Sequence, residues 1–261
     1  MTGDYTHGHH GSVLRSHGAR TAATSAAYLL PLLAPGMTLL DVGCGPGTIT
    51  ADLAELVAPG RVIGLEPVEE PLAAARTLDT TAVFEIGDVY ALAYDDDSFD
   101  VVHAHQVLQH LTDPVAALRE MRRVCRPGGV VACRDADYET FTWWPAEPRL
   151  DRWLDTYRRL ARHNGAEPDA GRQLTTWFSA AGFTDITGTA SAWAYCSPTE
   201  RAGWARTWSE RVLESAFADQ SVAAGLATDA DLHDLAEGWR AWGAAPYGFF
   251  GMLHADVIAR P

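Results

Sequence analysis

From residue 37 onward, short apolar runs alternate with segments whose apolar residues recur every three or four positions. The runs "MTLLDVG", "RVIGLE", "AVFEIGD", "FDVVHA" and "VVACRDAD" have the length and the Val, Ile and Leu content of buried strands. Between them, "TITADLAELVA" has helical spacing and is stopped by Pro59-Gly60. "EEPLAAARTL" carries its acids in the first turn, where they suit the helix dipole. In "DPVAALREMRRVC", Asp113 stands as N-cap and Pro114 as the first helical residue. Strands alternating with helices predict a mostly parallel sheet covered on both faces, with ligands beyond the carboxyl ends of the strands.

Ahead of this alternation, "TAATSAAYLLPLLA" predicts a helix broken near Pro31. Beyond it, "DRWLDTYRRLARHNG" and "GRQLTTWFSAAGF" read as helices and "TDITGTASAWAYC" as a long strand. Ser197 to about Trp242 is helical and Trp-rich, and "YGFFGMLHADVIARP" reads as a closing strand. The strands then number seven.

Composition removes several chemistries. All twenty basic residues are arginine, so Schiff-base, P-loop and kinase lysines are excluded. The formal net charge of −14 repels phosphate backbones and argues against nucleic acid as a partner. Cys44, Cys125, Cys133 and Cys196 stand far apart, unlike a zinc site or a disulfide framework. No apolar run is long enough to span a bilayer and no signal peptide opens the chain, so a cytoplasmic protein without membrane partners is expected, as monomer or homodimer.

The loop "LLDVGCGPGTIT" carries the chemistry. Gly43, Gly45 and Gly47 follow one strand and open a helix, where glycine lets the backbone turn sharply and approach a ligand. A dinucleotide site would want a third glycine where Thr48 stands, which weakens a nicotinamide reading. Asp41-Val-Gly-Cys44-Gly-Pro-Gly47 resembles the first motif of class I S-adenosylmethionine-dependent methyltransferases, in the manner of the ubiquinone/menaquinone C-methyltransferase-like group. Glu66, Gly87-Asp88-Val89, "DDDSFDVVHAHQVLQHL" and "ALREMRRVCRPGGVV" resemble the motifs that follow, and the resemblance covers about residues 37–137.

The resemblance implies a Rossmann-like α/β fold that binds S-adenosyl-L-methionine and releases S-adenosyl-L-homocysteine. It assigns Glu66 to the ribose hydroxyls and Asp88 to the adenine amine. Asp41 and carbonyls near Gly43 and His105 would take the ammonium, and Tyr5, Cys44, Pro67 and Gln106 complete the expected cofactor set. A carboxylate suits vicinal hydroxyls because it accepts from both. Singly, each acid has an ordinary alternative: Asp41 a strand-end cap, Asp88 a turn residue, Glu66 a solvated loop acid.

Methyl transfer is an in-line displacement in which positioning supplies roughly 7–11 kcal/mol of a barrier. It needs a general base only if the acceptor loses a proton, and it requires no metal. His110 and Tyr138 are candidate catalytic groups at strand ends; the alternatives are a core-packed histidine and a capping tyrosine. Trp143, Trp144, Trp204, Trp208, Trp239, Trp242, Tyr247, Phe249 and Phe250 suggest an apolar, small-molecule methyl acceptor, against the plainer reading of ordinary core. The start of the chain, "YTHGHHGSVLRSHGAR", reads as a lid over the cofactor or as a frayed terminus. Within it His9 and His10 are candidate bases and Arg20 is placed to reach a carboxylate.

The expected layout is an N-terminal lid over 1–34, a cofactor-binding core over 35–196, a helical cap over 197–243 and a closing strand over 244–261. The expected activity is methyl transfer to carbon, oxygen or nitrogen. The alternatives are a non-methylating cyclase or decarboxylase and a cofactor-binding regulator on the same fold.

Overall fold

The computed structural model describes residue 6 and residues 11–261, with the backbone alone at 12–15. Helices α1 (Gly11–Gly18) and α2 (Ala22–Ser25) lead, through a 3-10 turn at Leu30–Leu32, into β1 (Leu39–Val42). The order continues α3 (Thr48–Val57), β2 (Val62–Glu66), α4 (Glu69–Ala75), β3 (Val83–Ile86), β4 (Phe99–His105), α5 (Pro114–Val124) and β5 (Cys125–Ala136). The second half holds β6 (Thr142–Trp144), α6 (Pro148–His163), α7 (Leu174–Ala180) and β7 (Asp185–Tyr195). Helices α8 (Pro198–Glu214), α9 (Ala216–Ala223) and α10 (Asp229–Ala244) precede β8 (Phe249–Arg260).

Strands β3, β2, β1, β4 and β5 are parallel neighbours in that order. β8 runs antiparallel beside β5 and carries β7 along its other edge. The α/β fold expected from the alternation is present, with an eighth strand. β6 is three residues long and pairs Thr142–Trp144 with the first residues of β8, too short to register as a strand pattern.

Successive strand residues serve opposite faces. Leu40, Ile63, Val102 and Val131 enter one core with α5 and α7, while Leu39, Val62, Val101 and Val130 enter another with α2 and α3. α5 buries Ala117, Leu118, Met121 and Val124, a stripe at helical spacing, and the Asp113 carboxylate accepts from the Ala116 amide at 2.9 Å as its N-cap.

A third core is rich in aromatic rings. Trp153 of α6 lies 4.4 Å from Trp208 of α8 and 4.7 Å from Trp239 of α10, ring centre to ring centre. Thus α6, which falls in the interval expected for the α/β core, joins the helices that follow β7 instead. Its stripe of Leu150, Trp153, Tyr157 and Leu160 has the shape to close that cluster. No helix among the described residues is long and apolar enough to cross a membrane.

Candidate active site

At the carboxyl ends of β1, β2 and β4 the sheet opens into a cavity of about 430 Å³. The glycine loop forms its floor. Gly43 and Gly47 adopt φ of +67° and +78°, a region costly for any residue with a Cβ. A Cβ on Gly43 would stand 2.4 Å from Val107, and one on Gly47 2.7 Å from the Phe84 ring. The loop is tied down by the Gly43 amide, which donates to the Leu65 carbonyl at 2.7 Å. Gly43→Ala is therefore expected to cost about 1–3 kcal/mol of stability and to weaken ligand binding at least tenfold. Thermal melts and calorimetry read both, and unchanged values would remove Gly43 from this role.

Asp41 lies 3% exposed beneath the loop. One carboxylate oxygen is 2.7 Å from His103 Nδ1, and the other accepts from the Thr50 hydroxyl at 2.5 Å. Asp41 lines the cavity, yet it also braces β1 against β4 and α3, a second task that its position in the motif did not reveal. Glu66, at the end of β2, accepts from the Gly45 amide at 3.0 Å. Burial raises its carboxyl to about 7, with the Gly45 hydrogen bond opposing.

Gly45, Gly87, Val89, Pro67 and Cys44 also line the cavity. Burial pushes the Cys44 thiol upward, so it stays protonated and is no nucleophile. Asp88 is not brought into the described lining. Its carboxylate accepts from the Tyr90 amide at 3.0 Å, the largest of the contacts that hold it below the usual range.

The end of β4 is the polar corner. His105 is 7% exposed, and neither ring nitrogen has a hydrogen-bond partner among the described residues. Burial, reinforced by the charges of Arg20 and Arg134, keeps it neutral. Gln106 follows in the left-handed region at φ +55°. Its amide nitrogen is 2.8 Å from His254 Nε2, and its amide oxygen accepts from Arg20 at 2.7 Å. Arg20 thereby ties the segment after α1 to the sheet. The Thr24 carbonyl adds to this tie, accepting from Arg134 at 2.8 Å and from the Trp193 indole at 2.9 Å.

A second cavity of about 480 Å³ adjoins the first, and His17, Arg20, Gln106 and His110 line both. Tyr138 sits in this second cavity, 4.3 Å from Tyr157 and 4.4 Å from Phe141 in ring stacks. Burial raises its phenol, so it is present as a hydroxyl at neutral pH. At the seam, burial and the Arg20 charge lower His110 to about 3. Tyr5, His9 and His10 lie outside the described residues.

The aromatic set expected to face an acceptor is divided by the fold. Trp239, Trp242 and Phe250 are fully buried in the third core, whereas Trp144 and Tyr247 point outward, 64% and 92% exposed. Trp204 and Trp208 do line the second cavity. The sequence reading missed Trp193, Tyr195, Phe141 and Arg211 in its wall. The alternation in "SAWAYC" puts Trp193 and Tyr195 on one face of β7, a signal that was available but did not say which face was covered.

The lining suits an adenosyl amino acid. A buried carboxylate stands at one end, an unsatisfied imidazole at the other, and a Cβ on Gly45 would meet no atom within 4 Å. Residues 40–133 match the methyltransferase-domain family. An uncharacterised methyltransferase of Schizosaccharomyces pombe is 35% identical over 268 residues, spanning 97% of this chain and 95% of its own. The chain belongs to the class I S-adenosylmethionine-dependent methyltransferases.

Other methyltransferases resemble it in part. The demethylmenaquinone methyltransferase of Roseiflexus castenholzii is 36% identical over 138 residues, half of this chain and 56% of that one. Among solved structures, the 4+2 cyclase SpnF superposes with a TM-score of 0.55 at 22% identity, over 93% of this methyltransferase and 84% of that chain. At that identity the likeness concerns the fold alone.

Proposed function

We propose that this methyltransferase transfers a methyl group to a carbon, oxygen or nitrogen of a largely apolar small molecule held in the second cavity. The observation that carries the reading is the seam: two cavities of similar size meet at His17, Arg20, Gln106 and His110, above the ends of β4 and the glycine loop. S-adenosylmethionine, when bound, supplies an electrophilic methyl carbon on a sulfonium whose thioether leaves without protonation. Glu66 would accept from its ribose hydroxyls, and the glycine loop would present backbone amides. The aromatic walls of the second cavity orient the acceptor and exclude water. The segment carrying His17 and Arg20 covers both cavities, which fits the lid reading of the N-terminal region.

Calorimetry tests the first half: S-adenosylmethionine and S-adenosylhomocysteine are expected to bind at micromolar concentrations. No heat at high micromolar concentrations would remove the cofactor reading. Assays of methyl transfer over phenols, quinols and polyketide-like compounds test the second half. Turnover of polar amino acids or peptides in preference to these would contradict the acceptor class.

A further inference from the structure

We propose that Trp193 and Arg134 are positioning residues for the methyl donor: by holding the Thr24 carbonyl between them, they fix the segment that covers the first cavity. Neither is among the described residues that line that cavity, and Trp193 lines the second. A residue of the acceptor wall thus governs how tightly the donor is held. The inference rests on reading the first cavity as the donor site.

Thr24 lies in α2, a single turn whose last carbonyls have no partner within the helix. Its carbonyl accepts from the Arg134 guanidinium at 2.8 Å and from the Trp193 indole at 2.9 Å. Donors from two strands, β5 and β7, therefore meet on one oxygen and use both its lone pairs. Arg134 is itself fixed. It is 2% exposed, its Nε lies 3.0 Å from an oxygen of the buried Asp256 on β8, and its guanidinium lies 4.8 Å from the centre of the Trp193 ring.

The other end of α2 is tied to the donor side. The Ala22 amide donates at 2.8 Å to the Asp52 carboxylate of α3, the helix that the glycine loop opens. Arg20, four residues before Thr24, donates to Gln106 at the end of β4, and both Arg20 and His17 line the first cavity. α2 is therefore a strut between the glycine-loop helix and the acceptor wall. Ala22, Ala26 and Leu29 bury themselves in the sheet core beneath it. That apolar contact holds the strut down but sets no direction, whereas the two hydrogen bonds on Thr24 do.

Trp193 is held in turn from below. Its ring centre lies 4.6 Å from that of His254 and 5.7 Å from that of His105, so the indole rests on the polar corner at the end of β4. One side chain stands in the acceptor wall, packs on the donor corner and grips the strut over both. By linkage, whatever steadies this indole strengthens donor binding, and a bound donor steadies the indole.

The test measures S-adenosylhomocysteine binding to the full-length protein by calorimetry, together with hydrogen exchange at the amides of residues 22–26. Trp193→Phe keeps a ring and removes the indole donor. Arg134→Met combined with Asp256→Leu removes the other donor together with its counter-ion, so that no buried charge is left alone. Each variant is expected to bind S-adenosylhomocysteine about fivefold or more weakly, the loss of one hydrogen bond. Exchange at residues 22–26 is expected to quicken about tenfold while the sheet amides stay as in the wild type. A smaller loss of affinity in either folded variant would overturn the proposal. So would exchange quickened throughout the sheet, which is what a merely structural role produces. Should neither variant fold, the wild type decides: S-adenosylhomocysteine should slow exchange at residues 22–26 about tenfold, and no slowing would sink the inference. If S-adenosylhomocysteine does not bind the wild type, the donor-site reading falls first and this inference with it.

Discussion

Glu66→Ala is expected to weaken S-adenosylhomocysteine binding a hundredfold or more while leaving the fold intact. Hydrogen bonds to a charged group contribute about 1.5–3 kcal/mol each, and two ribose hydroxyls would lose theirs together. Within the protein the variant gives up the bond from the Gly45 amide and the favourable contact with the Val68 backbone. Burial gives the site a pH signature. The folded carboxyl is raised from an ordinary 4.5 to about 7, so the fold favours its protonated form. Ionising Glu66 therefore costs stability, none of it below pH 4.5, growing between 4.5 and 7, and constant above. The ligand-free Glu66→Gln protein should consequently exceed the wild type by up to about 3 kcal/mol at pH 8, with no difference near pH 4. Ligand affinity runs the other way, rising with pH through 7 as the carboxylate forms, with a proton released on binding below that. Denaturation and calorimetry at several pH values measure both trends. An Ala variant that binds normally, or a Gln variant no more stable at pH 8, would take Glu66 out of the site.

Trp153→Ala is expected to cost about 3–5 kcal/mol and to loosen the second cavity while sparing the first. The ring is fully buried between Trp208 and Trp239, and Trp208 also lines the second cavity. Removing it leaves a void that two indoles on separate helices cannot fill without moving. Apart from the four residues of the seam, the first cavity is lined by the ends of β1, β2 and β4, the glycine loop and the turns beside them. Denaturant unfolding should report the lost stability, and S-adenosylhomocysteine should still bind the folded variant. Loss of that binding in a folded Trp153→Ala protein would show that the aromatic core also supports the first cavity.

Local pattern alone was enough for the parallel half of the sheet. β1, β2 and the inner parts of β4 and β5 are buried on both faces, so each is a run of apolar residues, while β3, at the sheet edge, is half exposed. The glycine loop was legible because positive φ and close approach are demands on single residues, answered by Gly43 and Gly47. Glu66 was legible from its place at a strand end. Its weakened acidity was not, because burial depends on what the rest of the chain places around it.

The acceptor side shows the limit. Tryptophan in a helix has the same local signature whether it faces a core or a cavity, so Trp239 and Trp208 looked alike, and only packing made one interior and the other wall. The seam brings together His17, Arg20, Gln106 and His110, and the wall adds Trp193 and Arg211, from segments as far apart as residues 17 and 211. Asp88 lies between the lining residues Gly87 and Val89 and bonds the Tyr90 amide. By itself, then, the sequence determined the order of the parallel strands with their helices and the turn at the glycine loop, because those are set by local periodicity and backbone geometry, and its motifs carried the resemblance to the family. Only the tertiary structure decided which side chains meet at the seam and with what charge, because contact and desolvation are properties of segments brought together across the chain.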